Sequence, residues 1–323
     1  MKWRFFLLVV LIVGLAADAG TDPFAHRPFP SPAINSLEHQ PLATQGALMA
    51  SRFATLEDLQ KVVEIEYAYP PSDVGAKGPA GVRLHHQCGN QAVASVLISG
   101  ISEADLSKAR SGGWMSKALL GIRSPFVALH RHDLLRVMVL ARWRYPIFGE
   151  GDKAFYDIAA SMVKRIYPKD LDHLPERDLS EKGFLNTFNH ITAQALMTSL
   201  FSAELADFVG DVHERYHMPE LMTGVFTDKQ LTDLNKNPVD NYVDMINNEW
   251  GQRLGARLKQ EFNVSRTTRW TPQLMADYLN AVLEYYHWAL HVHFRPFRPD
   301  EELVQRYAHK LNRVMGDPKG LNQ

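Results

Sequence analysis

The sequence is poor in cysteine, in net charge and in long apolar runs. Cys88 is the only cysteine among 323 residues, so no disulfide can form within the chain. Lys and Arg number 35 against 36 for Asp and Glu, a balance that gives no strong nucleic-acid signal. Stability must therefore come from a buried core, for which a 46% hydrophobic content is sufficient.

The longest apolar run stands at the N-terminus. Lys2 and Arg4 precede it, and the small-residue segment Ala17-Asp18-Ala19 follows it. These features predict a signal peptide over residues 1–19, cut after Ala19, with a retained anchor as the alternative. We therefore expect a periplasmic or secreted protein. No later run approaches the roughly 20 apolar residues that span a bilayer, so no transmembrane span is expected after signal removal.

The rest of the chain is predicted to be mainly α-helical. Residues 20–50 contain five prolines, which predict an extended surface leader. Residues 51–323 are expected to form a single compact multi-helix domain. Apolar residues at helical spacing predict helices over residues 56–67, 125–143, 151–167 and 272–293. No convincing strand alternation or internal repeat is present.

Polar residues interrupt three helical patterns in the motif-bearing core, residues 183–256. The three groups are Asn186 with His190, Asp211 with His213 and Glu214, and Asp244 with Asn247, Asn248 and Gly251. An unpaired buried polar group costs about 1–3 kcal/mol, so these groups must satisfy one another or hold a ligand. Gly251 costs about 1 kcal/mol inside a helix, which predicts close approach by another backbone or a ligand.

The order of these groups resembles an uncharacterised family of bacterial helical domains. Its pattern runs Asn-x-x-x-His, then His-Glu, then Asp-x-x-Asn-Asn-x-x-Gly, and matches about residues 183–256. Such domains often end secreted or polymorphic-toxin-like proteins, so the resemblance implies a toxin-like or envelope-directed enzyme, with any immunity partner unknown. Asn189 stands where the family usually has Arg, which puts an anion contact in doubt. Separately, Gly210-Asp211-Val212-His213 is similar to a segment of helical zinc phosphodiesterases whose other ligands are not evident here.

These observations predict an exported hydrolase that acts on a phosphoester or another envelope component. We expect a divalent metal, zinc or another, bound by His190, His213 and Asp244, because imidazole and carboxylate groups suit such ions. The predicted catalytic residues are His190, His213 and Glu214, of which Glu214 is either a metal ligand or the general base. Three asparagines are predicted to orient the metal ligands or the substrate: Asn186, Asn247 and Asn248. The alternative is a periplasmic binding or structural protein in which the same polar residues form a buried hydrogen-bond network.

Two further groups contain residues of the types that bind metals or act as nucleophiles. His287 and His291 are four apart, a spacing that lets two imidazoles on one helix reach one metal. The alternative interpretation is that these histidines belong to a buried helix that packs in the core. Cys88, with His85 and His86 before it, has the composition of a thiol nucleophile or a metal corner, although an incidental role is favoured.

Overall fold

Helices account for most of the computed structural model, which describes residues 46–68, 80–233 and 238–316. The mainly α prediction is therefore confirmed. The longer helices are α2 (Glu103–Ser111), α3 (Trp114–Arg123), α4 (Pro125–Ala141), α6 (Phe155–Val163), α8 (Asn186–Leu200), α9 (Ala203–His217), α12 (Pro238–Glu261), α13 (Pro272–Leu290) and α14 (Glu302–Gly316). The short helices are α1 (Leu56–Gln60), α5 (Tyr145–Phe148), α7 (Pro168–Leu171), α10 (Glu220–Thr223) and α11 (Asp228–Thr232).

A small antiparallel sheet corrects the expectation that the chain has no strands. Its strands, in the order β1-β2-β3, are Val63–Tyr67, Gly81–Cys88 and Gln91–Ile98. The helix predicted over residues 56–67 ends at Gln60, because Val63 turns into the core and pairs with His86 of β2. Gly89, at φ 56°, forms the turn after β2, and Cys88 is the last residue of that strand.

Several helices begin after a capping residue of the sequence, namely Thr55, Ser202, Thr227 or Thr271. The Thr271 hydroxyl accepts a hydrogen bond from the Leu274 amide at 3.1 Å, and Pro272 opens α13 as predicted. The same helix ends three residues earlier than expected. His291 adopts φ 56°, in the left-handed region, and the chain then runs extended beside Ile166. The predicted end at His293 is therefore wrong.

Helices α8 and α12 form the centre of the fold. A Cβ atom on Gly251 would lie 2.7 Å from the Ile191 carbonyl oxygen, so only glycine allows the two backbones this approach. The predicted close approach at Gly251 is thus confirmed. Helices α4, α6, α13 and α14 contribute to one large core beside this pair, and the sheet packs on the other part of α12 through Trp250 and Tyr242.

The first described residues enter the core. Ala47, Leu48 and Met49 are each 0% exposed. The Asn247 amide accepts from the Leu48 N–H and donates to the Leu48 carbonyl, both at 2.9 Å, and the Thr187 hydroxyl donates to the same carbonyl at 2.9 Å. The surface leader predicted over residues 20–50 is therefore wrong for its last five residues.

The remaining N-terminal predictions, the signal peptide at 1–19 and the leader at 20–45, lie outside the described residues. Among the residues that the structure describes, no helix is both long and apolar enough to cross a membrane.

Candidate functional site

Helices α8, α9 and α12 each contribute one residue to a buried cluster of potential metal ligands. His190, Glu214 and Asp244, here called the His-Glu-Asp cluster, offer one ligand atom each, and these atoms lie within 4.8 Å of one another. His190 Nε2 is 3.3 Å from Asp244 Oδ2. Glu214 is 2% exposed, and its Oε1 atom has no hydrogen-bond partner. Within residues 46–68, 80–233 and 238–316, no other such group of three side chains occurs.

Two asparagines hold the cluster residues in place. His190 Nδ1 lies 3.0 Å from Asn248 Oδ1. Because an amide oxygen only accepts, Nδ1 carries the proton and the Nε2 lone pair faces Asp244. Asn186 Nδ2 donates to the other oxygen, Asp244 Oδ1, at 2.7 Å. Both asparagines therefore contact cluster residues, which fits the first of their two predicted roles, orienting the metal ligands or the substrate.

Burial shifts the protonation of all three cluster residues toward the neutral form. It lowers the pKa of His190 to about 4, so the imidazole is neutral at pH 7. Burial raises the pKa of Glu214 to about 8, and the charge of Asp240 adds to this effect. The pKa of Asp244 lies well above its ordinary value, first because of burial and then because Glu214 is close. The two carboxyl groups therefore keep protons at neutral pH unless a cation replaces those protons.

His213 lies beside the cluster but points elsewhere. Its ring centroid is 6.2 Å from that of His190, while its Nδ1 atom lies 3.3 Å from Glu103 Oε1. The hydrogen bond with Glu103 raises the pKa of His213, and the side chain is 43% exposed. The structure thus groups Glu214, rather than the predicted His213, with His190 and Asp244. Glu103 is a site residue that the sequence reasoning missed, because an acid in a helix's first turn is an ordinary feature.

Asn247 does not join the cluster. Its side chain is 0% exposed, and both its amide groups bind the Leu48 backbone. The predicted role in orienting a substrate is therefore replaced by a structural one. Asp211 is not part of the cluster either, and its Oδ2 atom accepts from Arg215 Nη2 at 2.6 Å. In the segment similar to zinc phosphodiesterases, Asp211 and His213 therefore do not come together in a group of potential metal ligands.

The other two groups from the sequence do not form comparable sites. His287 Nδ1 faces the Val292 carbonyl at 3.0 Å, and His291 leaves the helix in a left-handed conformation. The two imidazoles therefore do not have the i, i+4 helical arrangement that would bring them to one metal. Burial raises the pKa of the Cys88 thiol, which opposes thiolate formation. His86 accepts a hydrogen bond from Trp250 Nε1 at 3.0 Å, and this contact gives it a packing role.

Comparisons with protein-family models, with curated proteins and with solved structures found no match to this chain. The resemblance over residues 183–256 therefore stays an expectation, and the geometry of the His-Glu-Asp cluster carries the functional argument.

Proposed function

We propose that the chain is an exported, metal-dependent hydrolase whose divalent ion is bound by His190, Glu214 and Asp244. The observation that carries this proposal is the partnerless Glu214 Oε1 atom, buried beside a second carboxyl group and a neutral imidazole. A buried acceptor without a partner costs about 1–3 kcal/mol. A divalent cation at this point would supply the missing contact and offset the repulsion between the two carboxylates.

The donor set is suitable for such an ion. One imidazole nitrogen and two carboxylate oxygens are ligands that zinc accepts in catalytic sites, where a fourth position is left for water. The Asn248 amide oxygen accepts the Nδ1 proton of His190, an outer contact typical of metal-binding histidines. When bound, the ion would lower the pKa of water to about 7 and so supply a nucleophile near neutral pH.

His213 is the residue best placed to move a proton. The Glu103 carboxylate holds its Nδ1 atom, its ring centroid lies 6.2 Å from that of His190, and its side chain is half-buried. Its raised pKa favours the imidazolium near neutral pH, which suits a general acid that protonates a leaving group. Glu214 then serves as a ligand, which is one of the two roles, ligand or general base, that the sequence left open for it. The substrate we propose is a phosphoester or another envelope component, and a toxin-like role rests on the family resemblance.

A second candidate is a binding or structural protein without a metal. One observation favours it: a protonated Asp244 could donate to His190 Nε2, which lies 3.3 Å away, while Asn186 and Asn248 complete the chain of hydrogen bonds. Such a closed network would fix the relative positions of α8 and α12. It leaves Glu214 Oε1 without a partner, and for that reason we favour the metal site.

Elemental analysis of the purified protein separates the two candidates. We expect bound divalent metal in the wild type, and at least about a tenfold loss of affinity in Glu214→Gln and Asp244→Asn. Glu220→Gln is a matched control, since Glu220 is also a buried carboxyl with a raised pKa, outside the cluster. Hydrolysis of a panel of phosphoesters would be measured on the same samples. Wild-type protein that neither contains metal nor melts later with added divalent ions would favour the network.

A further inference from the structure

Helix α3 turns nearly all of its large apolar residues toward solvent. The exposed fractions are 78% for Trp114, 62% for Met115, 60% for Leu119 and 56% for Ile122. Leu120 is the one buried residue of this ten-residue helix, and it packs with Ala109 and Val212. Single exposed apolar residues are normal on a protein surface, but a set of four on one short helix indicates an interaction site.

These residues occupy one continuous side of the helix. At about 100° per residue, they span an arc of about 140° in the order Trp114, Ala118, Ile122, Met115, Leu119, which we call the α3 apolar face. Arg123 falls at one border of the arc and Lys117 beyond the other, and both are exposed. Leu120 falls on the opposite side, where the rest of the protein lies. On the neighbouring α4, Leu129 is 79% exposed.

The surrounding helices are basic, although the whole chain is not. Between residues 103 and 141, six Lys and Arg stand against three Asp and Glu, whereas the full chain has a net charge of −1. Two of these acids form ion pairs with cations of the same stretch: Asp105 with Arg123, and Asp133 with Arg136. Positive charge is thus concentrated around the exposed apolar face, which complements a negatively charged partner.

We propose that the α3 apolar face docks on the surface of an anionic phospholipid bilayer. A helix with Trp, Leu and Ile on one side and Lys and Arg at its borders is suited to lie in the membrane interface. Trp114 would sit at headgroup level and the flanking Lys117 would reach the phosphates, while Arg123 is already paired with Asp105. A second copy of the chain is a poorer occupant, because a two-fold contact through this face would bring the same cations of both copies together.

The docking surface has a structural connection to the candidate site. Helix α2 packs beside α3 and begins at Glu103, whose carboxylate binds His213. A protein docked through α3 would therefore hold α2, and with it Glu103 and His213, near the lipid headgroups. The docking inference does not rest on the proposed hydrolase function, because its test measures binding alone.

The test is co-sedimentation of the full chain with phosphatidylcholine vesicles, with and without phosphatidylglycerol. We expect binding to the anionic vesicles that weakens with added salt. Leu119→Ser combined with Ile122→Ser should weaken this binding at least about tenfold, since both side chains would be withdrawn from the interface. The matched control is Val225→Ser combined with Leu231→Ser, because these residues are each 54% exposed at another part of the surface. Any contribution of the N-terminal apolar run is common to all these variants.

A charge variant tests whether the positive charge beside the α3 apolar face contributes to binding of anionic vesicles. Lys117→Glu should weaken binding to anionic vesicles about fivefold or more and leave binding to neutral vesicles unchanged. Lys229→Glu, at an exposed position of α11, is its control and should bind as the wild type does. Wild-type protein that ignores anionic vesicles, or face variants that bind as well as their controls, would overturn the proposal. So would a dimer that the paired Leu119 and Ile122 substitutions convert to a monomer.

Discussion

Replacing Glu214 by Gln in metal-free protein should change how stability depends on pH. Burial raises the pKa of Glu214 from 4.5 to about 8. Between these two values, the folded protein holds a proton that the unfolded chain has released. The free energy of unfolding must therefore fall as pH rises through this window, and it should be highest below the unfolded pKa. Gln keeps the shape of the side chain and cannot titrate.

The size of the effect follows from the difference between the two pKa values. At 1.36 kcal/mol for each pH unit, Glu214 can contribute as much as about 5 kcal/mol of stability at low pH that is lost by about pH 8. Asp244 shares the same space, and its pKa is raised as well. We therefore expect Glu214→Gln to remove a large part of the fall, while Asp244 retains the rest.

Urea unfolding in the presence of a chelator, at several pH values between about 5 and 8, measures this dependence. Glu204→Gln is the control, because Glu204 is an exposed acid in the first turn of the same helix. Added metal should reverse the sign for the wild type, since deprotonated carboxylates bind the ion and stability then rises with pH. A flat metal-free profile for the wild type, or a Glu214→Gln profile parallel to it, would refute the reasoning.

Four further outcomes are expected. Gly251→Ala should destabilise the protein by about 1–3 kcal/mol in urea titration, because its Cβ would lie 2.7 Å from the Ile191 carbonyl oxygen; an unchanged midpoint would contradict the close helix contact. Asn248→Ala should weaken metal binding about 10–100-fold in competition with a chromophoric chelator, with the fold retained by circular dichroism. His213→Gln should lower turnover of any hydrolysed substrate about 10²–10⁴-fold at unchanged metal content. Glu103→Gln should move the alkaline limb of the activity profile to lower pH, because it removes the partner that raises the pKa of His213.

Much of the helical framework could be predicted from the sequence because its causes are local. The cap at Thr271, the proline that opens α12 and the apolar spacing of α4 all act within a few residues. The residues of the His-Glu-Asp cluster could also be singled out, since each interrupts an apolar pattern. It was harder to predict which of two adjacent residues points into the cluster. His213 and Glu214 are adjacent on a helix and diverge by about 100°, so the choice depends on the rotation of α9 against its partners.

Contacts between distant parts of the chain could not be read from local patterns. Strand β1 is five residues long and acquires its conformation by pairing with β2, so its spacing was compatible with the end of a helix. Glu103 reaches His213 across 110 positions. The burial of Leu48 likewise depends on its contacts with α12. The proline-containing segment before it has no pattern that predicts a buried strand or helix. In each case the missing information is the identity of a remote partner.

The hydrogen bonds between Leu48 and Asn247 constrain the order in which the protein can fold. They join residues 199 positions apart, so this part of the core cannot close until α12 has been synthesised as far as Asn247. Until then the Leu48 backbone must bind water, and the apolar residues on either side of it stay exposed. The Leu48 segment can therefore reach its native hydrogen bonds only once Asn247 is present, and a chain interrupted before Asn247 lacks the partner for both of them.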